Sequence, residues 1–590
     1  MKRSAVCLAA TLAIALAAAG CSGGSGPLPA APGSPDRTEA PATRSDSLRL
    51  SVKLAFKIPA RHRRHRDRYL SPSTGSIILT VFDAAHTHQL IQTEINTVPG
   101  FNGCTTVASG TFTCPMTVAL GPGTYAFDVA TYDGPGGKGI ELAALSKYLK
   151  SVVPGKANSI HLALYGDPVK IDFGFVGTNP LATGNGTSTF AIGGTGTGAA
   201  QQFQLTTEDA DGNLIVGSGA PTYAILTNEP TNLTITPVAG GSGVYKFTPL
   251  HHTTVAMNLT MEAIPGGGVA QPIYASAQLS IDQVVYIANP GNGTVTAFAP
   301  WSASPVLTIP SAAGAPNPYT IALDSAGNLY VENFQLSSGA VVVFPPGSTT
   351  PSRVITGLTA PAFGLAVDSS GDVFVTEYLT QDVKEFTPSG GSTPSRILSK
   401  STSPSGINKP AGLAVDAAGN LYVANGGGTI GVSVYAPGTS TTPAATFNAG
   451  MNLPAQLAFD AVGDLYVSNN GGNSVTEYAP PLGASSTIAH TFTSANTSTP
   501  FSIAVDGSYN VWVGQASGGH VVEFAANQSV LRTISGYGAA IYAIATDPSG
   551  NAFVADQNGN KVDEFSPASG TTPSAAYTTG VSGPTSIAVW

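Results

Sequence analysis

The sequence predicts an all-β protein: a seven-bladed β-propeller closed by its own terminal strand, preceded by two β-sandwich domains. Three observations carry that prediction. First, 42 % of the 590 residues are apolar and only 10 % charged. This is ample material for buried cores and excludes a wholly disordered chain, which needs few apolar residues and high net charge. Second, 69 glycines and 44 prolines make the chain turn-rich and disfavour long helical bundles. Third, the second half carries an internal repeat with the period of a propeller blade.

The N-terminus reads as an export signal over residues 1–20. Met1-Lys2-Arg3 is basic, and Ala5 to Ala19 is an apolar run too short to span a bilayer comfortably. It ends in Ala18-Ala19-Gly20-Cys21, which resembles the lipobox of bacterial lipoproteins. That resemblance implies lipid on Cys21, an exported protein of the cell envelope, and membrane attachment through that lipid. Ser22 stands where an aspartate would favour inner-membrane retention, so the outer membrane or cell surface is the expected address. Residues 21–47, rich in Gly, Ser, Pro and Ala, read as a flexible tether. Beyond the leader only Cys104 and Cys114 remain, and an exported protein can keep them as a disulfide. A two-cysteine metal site would need further ligands that the neighbourhood does not supply.

The first sandwich is expected over 48–167. Leu48 to Phe56 alternates apolar and polar, as a half-buried strand should, and Ser76–Phe82 and Gly123–Val129 repeat the pattern. The turn Gly121-Pro122-Gly123 before Tyr125 resembles that of bacterial immunoglobulin-like and carboxypeptidase-regulatory-like sandwiches. Between its first strands lies a basic run from Arg61 to Arg68, either a cationic patch for anionic envelope polymers or a solvated loop. The second sandwich, 168–282, alternates at Phe203–Asp209 and Gly243–Pro249, with a turn at Asp211-Gly212-Asn213. Its order of strands resembles invasin-type and other bacterial immunoglobulin-like modules, which implies a spacer. The pair His251-His252 reads as a loop feature.

The propeller is expected over 283–590. Ile321-Ala-Leu-Asp324-Ser-Ala-Gly-Asn-Leu-Tyr-Val331 recurs with Asp368, Asp416 and Asp460, and shorter versions carry Asp506 and Asp547. The aspartates are spaced by 44, 48, 44, 46 and 41 residues. Each unit supplies a first strand Ile/Leu-Ala-Val-Asp, a second Leu-Tyr-Val, and a third ending in an aromatic. The last are Phe344, Phe386, Tyr435, Tyr478, Phe524 and Phe565. Val284–Asn289 is a second strand lacking a first, and Pro584–Trp590 a first strand lacking a second. Joined, they complete a seventh blade and leave no exposed edge. The first-strand motif resembles the NHL-repeat family and related six- or seven-bladed propellers, over about half the chain.

The repeated Asp-x-x-Gly-Asn/Asp reads as a turn device, its aspartate bonding backbone amides and its glycine supplying φ > 0. Tyr509 replaces that glycine once. The opposite rim is the candidate site. After the second strands come Asn289, Asn333, Glu377, Asn425, Asn469, Gln515 and Asp556. Five positions before the repeat aspartates come Tyr319, Phe363, Ala411, Ala455, Phe501 and Tyr542, with Thr585 in the closing blade. Aromatic faces beside carboxamides suit a polar ligand with flat apolar faces, such as a sugar chain; alternatively these residues cap turns and fill gaps between blades.

Three functions compete. The first is a surface-anchored binding or scaffold protein without catalysis, its head recognising an envelope glycan or a protein. The second is an enzyme similar to gluconolactonase or streptogramin-lyase propellers. It would rest on Glu377 and Asp556, which could hold calcium with Asn425 or Asn469; no other cofactor is expected. The third is a structural envelope protein without a specific ligand. Residues 283–590 hold seven Lys/Arg against 17 Asp/Glu, a net −10, while the remainder is +1. Such a head repels phosphate backbones, so nucleic acid is not an expected partner. The sequence holds no phosphate-binding glycine loop and no nucleophile constellation.

Overall fold

The computed structural model describes residues 49–590 except 59–73, 98–103, 108–110, 161–164, 185–187, 211, 213, 216–219, 240–242, 254, 267–270, 335–338, 360–361, 401–405 and 539. The signal, Cys21, the tether and the Arg61–Arg68 run lie outside the described residues.

The alternation read at Leu48–Phe56 becomes the strand Leu50–Ile58, which pairs antiparallel with Thr111–Leu120 and parallel with Asn158–Ile160. A second sheet is built on Ser76–Asp83, Gly123–Tyr132 and Glu141–Val152. Val52 and Leu54 from the first sheet share one core with Ile77, Leu79 and Val81 from the second, which is sandwich packing. Cys104 and Cys114 form a disulfide, their Cα atoms 4.1 Å apart. The next segment repeats the architecture with a four-stranded and a five-stranded sheet. Its core is aromatic: Phe203 stacks on Phe247 at 4.6 Å and meets Phe190 edge-on at 5.3 Å.

From Val285 to Val589 the described residues form seven four-stranded antiparallel sheets. Six run in sequence from inner to outer strand; the first inner strands are Pro318–Leu323, Ala362–Val367, Pro410–Val415, Pro454–Phe459, Pro500–Val505 and Ile544–Thr546. We number these blades 2 to 7. Blade 1 takes its inner strand, Ser586–Val589, from the C-terminal segment and the rest from Val285–Ile309. Each inner strand touches the next around a closed circuit, blade 7 meeting blade 1 and blade 1 meeting blade 2. Second strands such as Leu421–Asn425 are buried along their whole length, because neighbouring blades cover both faces. The six third-strand aromatics are all fully buried.

The repeat aspartates hold local turns. Asp324 Oδ1 accepts the N–H groups of Ala326 (3.0 Å) and Asn328 (2.9 Å), and the same pattern recurs at Asp416 and Asp460. The glycine at φ +79° in blade 2, Gly327, is Tyr509 at φ +65° in blade 6.

The second sandwich and the ring are not separable bodies. Leu181, Phe190 and Ile281 of the sandwich share one hydrophobic cluster with Val284, Tyr286, Val331 and Trp590 of the ring. The strand Ile273–Asp282 runs within three residues into Val285–Asn289.

Candidate functional site

At one end of the ring the inner strands surround a cavity of about 340 Å³ on the propeller axis. Its wall includes Tyr319, Phe363, Phe501, Tyr542 and Thr585. These five share one register, the second residue of the inner strand or its equivalent, so the pleat turns all of them the same way. The structure therefore brings the four predicted aromatics together at the channel mouth. They are half-buried and propped from behind. Tyr319 packs on Phe334 at 5.1 Å, Phe363 on Tyr378 at 5.3 Å, and Phe501 meets Tyr542 edge-on at 5.7 Å. Such pairs contribute about 0.5–1.5 kcal/mol each beyond area burial and fix ring orientation.

The second predicted series does not reach the cavity. Asn289, Asn333, Asn425 and Asn469 are buried one strand further out. Each turns its Oδ1 back to the loop entering its own blade, accepting the N–H of Ser582 (3.2 Å), Asn317 (2.9 Å), Asn408 (2.8 Å) and Asn452 (3.3 Å) respectively. A buried loop amide left without a partner is costly, and a short carboxamide at the strand end removes that cost. The Nδ2 groups of Asn289, Asn425 and Asn469 are used as well: that of Asn425 donates to Ser433 Oγ at 3.0 Å.

The three remaining members differ. Glu377 is buried, accepts the backbone N–H of Thr359 and pairs with Lys384 Nζ at 2.7 Å. Asp556 accepts the N–H of Gly559 at 2.9 Å. Gln515, longer by one methylene, has both amide atoms buried without a partner among the described residues, and so has Nδ1 of nearby His520. The acidic pair considered for calcium is thus split, one carboxylate neutralised by a lysine and the other closing a turn. Among the described residues no three His, Cys, Asp or Glu side chains come together as a metal site. His490 stands on an outer strand, 3.1 Å from Glu477.

Polar groups at the mouth come from elsewhere. Thr585 Oγ1 donates to the Tyr319 carbonyl (2.7 Å), Ser586 Oγ accepts the Ile321 N–H (3.2 Å), and Ser502 Oγ donates to the Ile541 carbonyl (2.8 Å). These hydroxyls stitch one inner strand to the next. Gln456 also lines the cavity, on the side where blades 4 and 5 carry Ala411 and Ala455 instead of aromatics. Behind the wall, Glu332 is fully buried between blades 2 and 3, with Oε1 3.4 Å from the Ala362 nitrogen and Oε2 without a partner among the described residues. Burial pushes its carboxyl up to about 8, with backbone hydrogen bonds from Ala362 and Thr320 opposing. Burial also raises Tyr319, helped by Tyr542 and Glu332, so its phenol stays protonated at neutral pH.

Phe334, Tyr378 and Gln456 were not among the predicted residues. The signal for the first two was an aromatic directly after the second strand in blades 2 and 3, where other blades carry Pro290, Gly426, Asn470, Ala516 and Gln557. For Gln456 it was a long polar residue at the position of Gly364 and Gly412.

No family model and no curated protein matches the sequence. Solved structures resemble it in fold. Virginiamycin B lyase from Staphylococcus aureus is 15 % identical with a TM-score of 0.34, covering 45 % of this chain and 85 % of the lyase. A protein from Lactobacillus plantarum is 14 % identical with a TM-score of 0.43, covering 52 % and 99 %. The WD40 β-propeller domain of Doa1 is 14 % identical with a TM-score of 0.38, covering 48 % and 90 %. This chain's own seven four-stranded sheets, closed into a circuit, make it a β-propeller protein.

Proposed function

We propose that the chain is an exported, lipid-anchored recognition protein of the bacterial cell envelope. The sandwiches act as a stalk, and the ring binds a ligand at its channel mouth without transforming it. The observation that carries this reading is the convergence of aromatics from four blades on one cavity of about 340 Å³, a size typical of small-ligand sites. Aromatics, hydroxyls and an amide line it, groups that hold and orient a ligand. Envelope placement rests on the Met1–Ala19 leader and Cys21.

Because ring and second sandwich share a core, the test uses the full chain. Arrayed bacterial and plant glycans and envelope proteins are the probes, with and without calcium. Saturable binding lost on Phe363→Ala and on Tyr542→Ala is expected; binding indifferent to both substitutions, or none, overturns the reading. For the anchor, expression with a labelled fatty acid should tag the protein, and Cys21→Ser should abolish the tag.

A further inference from the structure

Among the described residues no charged side chain lines the mouth. Apart from the phenols of Tyr319 and Tyr542, none of its lining side chains is ionisable. Around it the ring carries an excess of acid, 17 Asp/Glu against seven Lys/Arg. The hydroxyls of Thr585, Ser586 and Ser502 are spent on neighbouring strands. The Gln456 amide makes no hydrogen bond among the described residues and lies over the adjacent inner strand. A Cβ on Gly412 would come within 2.8 Å of Gln456 Oε1. The same Cβ would meet the Ala455 carbonyl at 2.6 Å, so the glycine lets the backbone of the next blade come close, and the Gln456 amide with it, in the gap between the two ends of the aromatic arc.

Resting on the reading of the mouth as a ligand site, we propose that it selects an uncharged, hydroxyl-bearing ring, a neutral pyranose unit, with Gln456 as the specificity-determining residue. A carboxylate or phosphate would lose its hydration against aromatic faces with no cation to replace it, inside an acidic ring. A neutral sugar presents an apolar C–H face to stack on Phe363 or Tyr319, and hydroxyls that both donate and accept. The Gln456 amide does both in return, as do the two phenols. A quaternary ammonium would also suit aromatic walls. It gains nothing from an amide, however, and burial shifts Glu332, the acid behind the wall, towards its neutral form.

The test is calorimetric titration of the full chain at pH 7 with neutral gluco-, galacto- and manno-oligosaccharides, the matching uronic-acid oligomers, and choline. One neutral series should bind at a single site, with its uronide weaker by roughly tenfold or more. Gln456→Leu should weaken the neutral ligand about three- to tenfold without lowering the melting temperature, and Phe363→Ala should weaken it further. A uronide that binds as tightly as its neutral counterpart, or choline binding in place of sugars, would overturn the ligand class. In either case loss of that binding on Phe363→Ala would leave the mouth as the site. Sugar binding indifferent to both Gln456→Leu and Phe363→Ala, or no binding at all, would overturn the site as well.

Discussion

Val285 and Val589 lie opposite one another in a single antiparallel ladder, so the ring is fastened by hydrogen bonds between its first and last strands. The ladder continues one step further, where Trp590 N–H donates to the Val284 carbonyl and Val284 N–H to the Trp590 carbonyl, both at 2.9 Å. The indole beyond it fills the seam with the second sandwich, against Gly194 on one side and Gly327 on the other. Trp590→Ala should therefore cost about 3–5 kcal/mol and loosen closure and stalk contact together. Urea unfolding followed by tryptophan fluorescence and circular dichroism checks this; an unchanged midpoint would mean that the indole contributes little to either.

Glu332 sets a pH dependence whose sign follows from burial. Its carboxyl is raised from 4.5 to about 8 in the fold, so between those values the native state holds a proton that the unfolded chain has released. Stability is then unaffected below about pH 4.5, falls as pH rises towards about 8, and levels off above, by up to about 1.4 kcal/mol per pH unit. Glu332→Gln should remove that slope and leave the variant more stable than the parent at pH 8.5. Denaturant titrations at pH 5, 7 and 8.5 are the measurement, and parallel curves for the two proteins would refute it.

The ring was legible because its signals are local. Asp324 bonds amides two and four residues on, and each blade repeats that short grammar. The aromatic mouth was legible too, since Tyr319, Phe363, Phe501 and Tyr542 share one register of the inner strand. The carboxamide series could not be assigned from sequence because its choice is made by another segment. Asn425 turns to the loop entering its blade, where the Asn408 N–H lies within 2.8 Å. Gln456 was hidden for a similar reason: its amide lies against Gly412 of the neighbouring blade, a contact between distant segments.

Tyr509 offers a small stabilisation. It sits at φ +65°, a left-handed conformation that costs an ordinary L-residue about 1–2 kcal/mol, whereas the matching turns use Gly327, Gly371, Gly419, Gly463 and Gly550. Glycine adds roughly 0.5–1 kcal/mol of unfolded-state entropy, and the tyrosine, 37 % exposed, gives up the packing of its covered part. Tyr509→Gly should raise stability by up to about 1 kcal/mol, while Gly419→Ala should lower it by a similar amount or more. Thermal melts of both variants decide; a lower melting temperature for Tyr509→Gly would show that the phenol ring is needed where it lies.

The Glu377–Lys384 pair yields a loss of electrostatic origin. Lys384 Nζ lies 2.7 Å from Glu377 Oε2 and donates to the Gly357 carbonyl at 3.0 Å, and both side chains are almost wholly removed from solvent. Lys384→Met keeps the aliphatic volume but strands a buried carboxylate, which should cost about 3–5 kcal/mol. The double variant Glu377→Gln/Lys384→Met removes the charge as well, and the Gln amide oxygen can still accept from the Thr359 N–H. It should recover more than half of that loss. Urea unfolding of the two single variants and the double closes the cycle. Additive losses would show that the two side chains act independently and that the ion pair is incidental.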